Sequence, residues 1–201
     1  MTAPQACDLV TIGHSNLPAD RFIKLLKDAE VNAVIDVRSV PFSRWCPWFS
    51  SKALAARLAA EGIAYHALGD ELGGRPRDPQ LYCGGIADYE AMAARPEFRA
   101  GLDRVVDETR RHRVCLLCSE REPLDCHRCL LVGRALTERG LRPGHIRVDG
   151  SIEPHATTEQ RLLALAGGEA DLFHDPASRL ADAYRRRARA VVARARQKSR
   201  K

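Results

Sequence analysis

The chain has 201 residues, of which 45% are hydrophobic and 29% charged, and its formal net charge is +6. This composition is near the average for globular domains, which argues against wholesale disorder and indicates one domain with a hydrophobic core. No apolar run approaches the roughly 18 residues of a membrane span, and the N-terminal residues lack the blocks of a signal peptide, so we expect no membrane partner and a cytoplasmic location.

The positive charge is concentrated at the C-terminal end. Residues 179–201 contain ten Lys or Arg residues and one Asp, whereas the remaining residues carry 22 basic and 25 acidic side chains. We therefore predict a single α/β domain over residues 1–178 and a basic tail over residues 179–201 that is helical or disordered. The seven cysteines make a poor disulfide framework because their number is odd, and they indicate a reducing compartment.

Apolar segments alternate with amphipathic ones along the chain. This pattern predicts an α/β fold with an open, mostly parallel Rossmann-like sheet and helices on both faces. The predicted strands are residues 9–12, 33–37, 63–68, 114–118 and 145–148. The predicted helices are residues 18–30, 51–61, 88–94, 96–112 and 126–139, and a loop rich in Gly, Pro and Asp covers residues 69–85. Because ligand sites in such sheets lie beyond the carboxyl ends of the strands, polar residues at these ends are the candidate site residues.

The segment after the fourth predicted strand has the strongest pattern. The strand brings Cys118 and then Glu120 to the edge of the sheet, and Asp125 is predicted to cap the next helix. The first turn of that helix contains Cys126, His127 and Arg128. Free backbone N–H groups and the helix dipole favour an anion there and lower the pKa of a thiol. We therefore predict Cys126 as a nucleophile or metal-binding thiolate, and Arg128 as a two-pronged contact to a phosphate or carboxylate.

Two neighbouring cysteines are interpreted as core residues. Cys115 lies three residues before Cys118 on the strand, so it points to the opposite face and cannot share a metal ion with it. Cys129 lies one helical turn from Cys126 and could face the same way, but it begins an apolar run, which favours a packing role. A zinc or iron site made of Cys118, Cys126 and His127 is an open alternative to the nucleophile.

Two other strands also end in polar residues. His14 and Ser15 follow the first strand, where His14 can carry a proton and Ser15 can bind a substrate or cap the next helix. Asp36 is a carboxylate inside an apolar strand and needs a partner, either Arg38 or Arg44, and the arginine left over can hold an anionic ligand. Double glycines permit close approach of the backbone to a ligand. The loop residues that we add as substrate-binding candidates are Ser43, Gly73, Gly74 and Tyr82.

Three familiar templates do not fit the chain. No strand is followed by a Gly-x-Gly-x-x-Gly sequence, and no Walker-type phosphate loop is present. A Cys-x5-Arg spacing runs from Cys115 to Arg121, but its first residues continue an apolar strand. They therefore cannot form the glycine-rich cradle that phosphatase and rhodanese chemistry needs.

Several short motifs nonetheless occur in an order that resembles the family called domain of unknown function 488. They are Thr11-Ile-Gly-His-Ser15, Ile35-Asp-Val-Arg38, Pro41-x-Ser-Arg44, Leu68-Gly-x-x-Leu-Gly-Gly74, Leu117-Cys-x-Glu120 and Cys126-His-Arg128. The likeness covers about residues 9–165 and leaves the basic end outside. Because the family has no settled activity, the resemblance implies the fold and a pocket shared by these motifs, and it implies no particular reaction.

Three hypotheses about function remain open. The first is an enzyme that acts on a small anionic, nucleotide-like substrate. Its predicted catalytic residues are His14, Cys118, Glu120, Cys126 and His127. The second is an iron- or zinc-dependent enzyme or sensor that uses the two thiols and the neighbouring imidazole. The third is a nucleic-acid-associated module, in which the basic segment Arg185–Lys201 forms a helix and binds phosphates nonspecifically.

Overall fold

The computed structural model describes residues 7–167 and 175–199, with the side chains of the last helix described as far as Arg194. The strands are β1 (Leu9–Gly13), β2 (Ala33–Asp36), β3 (Ala64–Ala67), β4 (Tyr82–Cys83), β5 (Ile86–Ala87), β6 (Val114–Cys118), β7 (Pro143–Ile146) and β8 (Ile152–Pro154). The α-helices are α1 (Ala19–Asp28), α2 (Ser51–Ala60), α3 (Gly69–Leu72), α4 (Tyr89–Ala93), α5 (Pro96–Thr109), α6 (Arg134–Glu138), α7 (His155–Leu165) and α8 (Pro176–Ser199).

Six strands form one sheet in the order β3-β2-β6-β1-β7-β8. The first five strands in this order are parallel, and β8 runs antiparallel to β7 at the edge. Apolar side chains of α1 and α2 pack on one face of the sheet, and those of α5 and α6 pack on the other. The predicted open, mostly parallel sheet with helices on both faces is therefore confirmed.

The strand β6 lies in the middle of the sheet and all five of its residues are buried. Such a continuous apolar run is typical of a parallel strand that is covered on both faces. Leu116 and Cys118 belong to the core under α5 and α6, whereas Cys115 and Leu117 belong to the core under α1 and α2. The structure thus places Cys115 and Cys118 on opposite faces, as the alternation of a strand requires.

The chain after β6 enters its next helix differently from the prediction. A 3₁₀ turn covers Pro123–Asp125, Cys126 is extended, and a π-helical turn at Arg128–Gly133 precedes α6. Asp125 does not cap this helix, because it lies before the extended residue and its carboxylate binds Arg187 at 2.6 Å. The sulfur of Cys126 accepts from the backbone N–H of Arg128, the first residue of the π-helical turn, at 3.5 Å.

Three smaller features also differ from the sequence prediction. The last parallel strand begins at Pro143, two residues earlier than predicted. Strand β4 lies inside the segment predicted as a loop, residues 69–85, and its hairpin partner β5 follows directly after that segment. Strand β8 follows a turn after β7. These strands have two or three residues each, which is too short for a period-2 pattern to identify.

The basic C-terminal segment forms the long helix α8, which packs against α7. Ala183 and Tyr184 are buried, and Arg187 donates to the backbone carbonyl of Leu124 at 2.9 Å. The first half of the predicted tail is therefore part of the folded domain, whereas Arg200 and Lys201 lie outside the described residues. Neither α8 nor any other described helix combines the length and apolarity needed to cross a membrane.

Candidate functional site

The carboxyl ends of β1, β2 and β6 meet at one edge of the sheet, and a cavity of about 740 Å³ lies there. Its inner wall includes Cys118, Glu120, Cys126 and His127. Its rim includes Phe42, Arg75, Arg121 and Arg194. The predicted sites after β2 and β6 thus open into one cavity, and helix α8 supplies part of its wall.

The two thiols and the imidazole predicted as site residues converge in this cavity. His127 Nδ1 lies 3.6 Å from Cys118 Sγ and 4.0 Å from Cys126 Sγ, and all three atoms lie within 4.8 Å of one another. The carboxylate of Glu120 lies beside both sulfurs, at 3.2 Å from Cys118 and 3.4 Å from Cys126. We call Cys118, Cys126 and His127 the cavity cluster.

The orientation of the His127 ring is fixed from two sides. Its Nε2 lies 2.8 Å from the backbone carbonyl oxygen of Val37, which accepts a hydrogen bond only if Nε2 carries the proton. Nδ1 is then the unprotonated nitrogen of the neutral ring and points to the sulfurs. A Cβ atom at Gly74 would lie 2.6 Å from Cγ of His127, so a side chain at this position would displace the ring. Gly74, predicted to contact a ligand, therefore serves the site by allowing the imidazole to approach the backbone.

Arg128 is fully buried and points away from the cavity. Its guanidinium donates to the backbone carbonyls of Glu120 at 2.5 Å and Arg121 at 3.0 Å, and to the hydroxyl of Thr11 at 3.3 Å. These contacts hold the chain after β6 against β1. The two-pronged contact to an anion that we predicted for Arg128 is not available in this geometry, because its donors already bind the protein.

The charge balance of the cavity cluster favours a thiolate at Cys126. Burial alone would raise the pKa of this thiol, but the hydrogen bond from Cys118 and the charge of Arg128 hold it well below its usual value, and a protonated His127 ring lowers it further. Burial and the neighbouring Cys126 sulfur raise the pKa of Cys118. For His127 burial is outweighed by its contact with the Cys126 sulfur, and the pKa of the imidazole is raised. The cluster therefore pairs Cys126, whose pKa is lowered, with Cys118, whose pKa is raised.

The surroundings of Glu120 raise the proton affinity of its carboxyl group. Burial raises the pKa of this carboxyl group, and the charge of the Cys126 sulfur raises it further. A raised pKa makes a carboxylate a stronger proton acceptor, which is a property that general acid–base catalysis uses. Its position beside both sulfurs keeps it within reach of a molecule bound in the cavity.

The polar residues after β1 and β2 form a buried network beside the cavity. Arg38 neutralises Asp36 through two side-chain contacts, at 2.8 Å and 2.5 Å, and Tyr65 donates to the same carboxylate at 2.8 Å. Another guanidinium nitrogen of Arg38 lies 3.1 Å from Nε2 of His14, and Nδ1 of His14 donates to the carbonyl of Ser15. Both nitrogens of His14 are thus occupied, which argues against its predicted role as a proton carrier.

The remaining predicted substrate-binding residues have local contacts. Ser43 accepts a hydrogen bond from the backbone of Cys46, and Tyr82 donates to the carbonyl of Pro76 at 2.8 Å. Arg44 is exposed and lies over the ring of Trp45, whereas Gly73 packs against Ser39 and Ser15 turns the backbone with a φ of 46°. None of Ser15, Ser43, Arg44, Gly73 and Tyr82 lines the cavity.

Sequence reasoning missed two groups in the cavity wall. Tyr89 begins a short helix and lines the cavity, but its sequence surroundings contain no motif that indicates this position. Val191 and Val192 come from α8, and their signal was present, since two adjacent apolar residues interrupt a run rich in arginine. An apolar pair in a basic helix indicates packing against the domain.

The fold and the site define a small α/β domain with thiol, imidazole and carboxyl groups in one cavity at the carboxyl edge of a parallel sheet. The chain belongs to the family described as Domain of unknown function DUF488, whose model matches residues 18–135, more than half of the chain. No curated protein and no solved structure matches the chain. The family membership that the short motifs indicated is therefore confirmed.

Proposed function

We propose that the protein is a metal-dependent enzyme that acts on a small anionic substrate in the cavity. The observation that carries this proposal is the convergence of two sulfurs and one imidazole nitrogen in the cavity wall. Around a tetrahedral zinc ion, ligand sulfur and nitrogen atoms lie about 3.6 Å apart. The two sulfur–nitrogen distances of the cavity cluster, 3.6 Å and 4.0 Å, are close to this value.

The surroundings of the cluster support a metal with an open coordination position. Metal-bound histidines almost always donate their second ring N–H to a fixed acceptor, as His127 does to Val37. Two thiolates and one imidazole favour zinc over the alternative of iron, and three protein ligands with free space beside them are typical of catalytic zinc. A metal ion bound there would supply a polarised water molecule or an electrophile for the substrate.

The residues around the cluster would then divide the remaining tasks. Glu120, beside both sulfurs, is the candidate for moving a proton to or from the bound molecule. An anionic group would be held at the rim, where Arg75 is exposed and has no ion-pair partner among the residues that the structure describes. Val40 and Phe42 are exposed apolar side chains that also line the cavity.

Metal content tests the first half of the proposal. Elemental analysis of protein purified without chelator should find zinc, and Cys118→Ser and Cys126→Ser should each lose one equivalent of it. The matched control is Cys115→Ser, because this thiol lies on the same strand as Cys118 but on the other face of the sheet. Unchanged metal content in both cavity variants would refute the metal centre.

Anion binding tests the second half. Phosphate and simple nucleotides should raise the melting temperature of the protein, because a ligand that binds only the folded state stabilises it. Arg75→Ala should reduce this shift, whereas Arg44→Ala, outside the cavity, should not. Equal shifts in both variants would exclude the rim as the anion site.

A second candidate function is nucleophilic catalysis by the Cys126 thiolate without a metal. It is favoured by the lowered pKa of this thiol and by the backbone N–H of Arg128 directed at its sulfur at 3.5 Å. Alkylation of chelator-treated protein separates the candidates. If Cys126 reacts faster than the exposed thiol of Cys83 and activity survives metal removal, the thiolate mechanism holds and the metal mechanism fails.

A further inference from the structure

A second group of metal-binding side chains lies on the inner side of the segment that carries Cys126. Cys129 from the π-helical turn, His145 from β7 and His155 from the start of α7 come together there. We call these three residues the inner cluster. They are 0%, 0% and 2% exposed, and none of them lines the cavity. The inner cluster is therefore separate from the cavity cluster.

The distances in the inner cluster are close to those around a metal ion. His155 Nδ1 lies 3.0 Å from His145 Nε2 and 3.9 Å from Cys129 Sγ, and all three atoms lie within 4.8 Å of one another. Bonds of about 2.0 Å to nitrogen and about 2.3 Å to sulfur in a tetrahedral arrangement place two nitrogens about 3.3 Å apart, and sulfur and nitrogen about 3.6 Å apart. Small side-chain movements would thus bring all three donors to bonding distance.

The outer nitrogens of both rings are already fixed by side chains. Nδ1 of His145 lies 2.7 Å from the hydroxyl of Thr11, and Nε2 of His155 lies 2.9 Å from the hydroxyl of Tyr184. Such contacts hold a histidine ring in one orientation and leave its inner nitrogen for a metal. The arrangement parallels the contact of His127 with Val37 in the cavity cluster.

The hydrogen atoms of the inner cluster do not match its acceptors. Tyr184 donates its hydroxyl hydrogen to Glu159 at 2.9 Å, so it accepts from Nε2 of His155, and Nδ1 of His155 is unprotonated. The N–H of His145 and the S–H of Cys129 then both point to this one lone pair. Nδ1 has a single lone pair, so one of the two donors is left over. With a metal ion bound between the three atoms, no hydrogen-bond donor is left without an acceptor.

We propose that the inner cluster is a closed binding site for a thiophilic metal ion, copper(I) or zinc(II). Binding releases the proton of the Cys129 thiol. The proton of His145 moves from Nε2 to Nδ1, where the hydroxyl oxygen of Thr11 accepts it in a hydrogen bond. Thiolate and imidazole donors select both ions. Copper(I) fits better for two reasons: structural zinc sites use four ligands whereas the described residues supply three, and copper(I) with a thiolate is neutral beside the buried charge of Arg128.

The test uses the full chain with Cys118→Ser and Cys126→Ser, so that the cavity cluster is removed and the result does not depend on the proposed function. One equivalent of copper(I), or in a parallel experiment zinc(II), is added anaerobically in the presence of a competing chelator. We expect one ion per chain to be retained. Addition of Cys129→Ser should weaken its binding by roughly 100-fold or more. The matched control is Cys115→Ser, which removes a buried thiol from the other face of the sheet.

Two results would overturn the proposal: no retention of either ion in the background protein, or retention that Cys129→Ser leaves unchanged. Retention of only one of the two ions identifies the metal. If Cys129→Ser does not fold, X-ray absorption of the ion bound to the background protein replaces it. A shell with one sulfur and two nitrogen ligands supports the inner cluster, and a shell of nitrogen and oxygen alone contradicts it.

Discussion

Cys126 and Cys129 are three positions apart, yet they belong to clusters in different surroundings. The thiol of Cys126 lies in the wall of a cavity, beside the carboxylate of Glu120 and under arginines at the rim. The thiol of Cys129 lies in the interior, beside two imidazoles whose outer nitrogens are bound by other side chains. Cys126 has an extended backbone, whereas Cys129 lies in the π-helical turn that begins at Arg128, and the two sulfurs therefore belong to different clusters.

The difference between the clusters is one of access. Metal sites that do chemistry keep a coordination position open to solvent or substrate, whereas structural sites are closed by protein ligands. The cavity cluster adjoins free space and the carboxyl group of Glu120, whereas the inner cluster is buried beside side chains that fix its rings. The same residue types three positions apart are thus suited to different tasks, and Arg128 lies between them.

The largest effect is expected for Arg128→Met, because the guanidinium of Arg128 contacts groups beside both the cavity cluster and the inner cluster. It holds the carbonyl of Glu120 near the cavity and the hydroxyl of Thr11, which binds His145 of the inner cluster. Its removal leaves buried acceptors without donors and should cost about 3–5 kcal/mol in the free energy of unfolding. Urea unfolding measures this loss.

The matched substitution for Arg128 is Arg121→Met, at an exposed arginine of the same segment. It should change the free energy of unfolding by less than about 0.5 kcal/mol. Metal retention in the Arg128 variant should fall at both clusters. A variant that loses metal at one cluster alone would show that the guanidinium does not connect them.

The next effect concerns His14, which lies beside the cavity but in neither cluster. Burial and the charge of Arg38 lower its pKa to about 4, and Arg128 adds to this effect, whereas the hydrogen bond to Ser15 and the charge of Asp36 oppose it. Between pH 6.5 and pH 4 the unfolded chain therefore binds more protons at this residue than the folded chain does. The stability associated with neutral His14 is present above pH 6.5 and decreases as the pH falls, by at most about 3 kcal/mol at pH 4.

Urea unfolding of metal-free protein at several pH values measures this dependence. His14→Gln keeps a polar side chain but cannot titrate, so its free energy of unfolding should decrease less between pH 6.5 and pH 4 than that of the natural chain. The stacking of His14 on Phe49 is lost in part in the variant, so the slope with pH is the relevant quantity and not the absolute stability. Identical slopes in both proteins would show that His14 is not held neutral by burial.

The sequence predicts the edge of the sheet at which the site lies, but not the direction of every side chain there. Buried parallel strands and polar strand ends suffice to bring Cys118, Cys126 and His127 together, because parallel strands share one carboxyl edge. The inward turn of Arg128 depends on the extended backbone at Cys126, which spacing alone does not reveal. The inner cluster could not be predicted for a similar reason, since His145 and His155 approach Cys129 through the packing of β7 and α7.

A pair of glycines tests the two clusters separately. A Cβ at Gly74 would lie 2.6 Å from the ring of His127, whereas a Cβ at Gly133 would lie 3.1 Å from the ring of His155. Gly74→Ala should displace His127 and weaken zinc binding at the cavity by about 10–100-fold, because ligand orientation sets metal affinity. Gly133→Ala should leave the cavity site unchanged and disturb the inner cluster slightly. If the zinc affinity of the cavity cluster falls equally in both variants, the two clusters are not separate.

The smallest effect is expected for Tyr184→Phe in α8. The phenyl ring keeps the buried apolar contacts, but Nε2 of His155 loses its acceptor and Glu159 loses a donor. The free energy of unfolding should fall by about 1–2 kcal/mol, and metal retention at the inner cluster should weaken while the cavity cluster keeps its zinc. The matched control is Tyr82→Phe, because the hydroxyl of Tyr82 donates to the loop carbonyl of Pro76, and it should affect neither cluster. Tyr184 lies in the basic helix, so a change confined to the inner cluster would show that α8 supports the interior as well as the wall of the cavity. A loss of zinc from the cavity would instead mean that the two clusters respond as one unit.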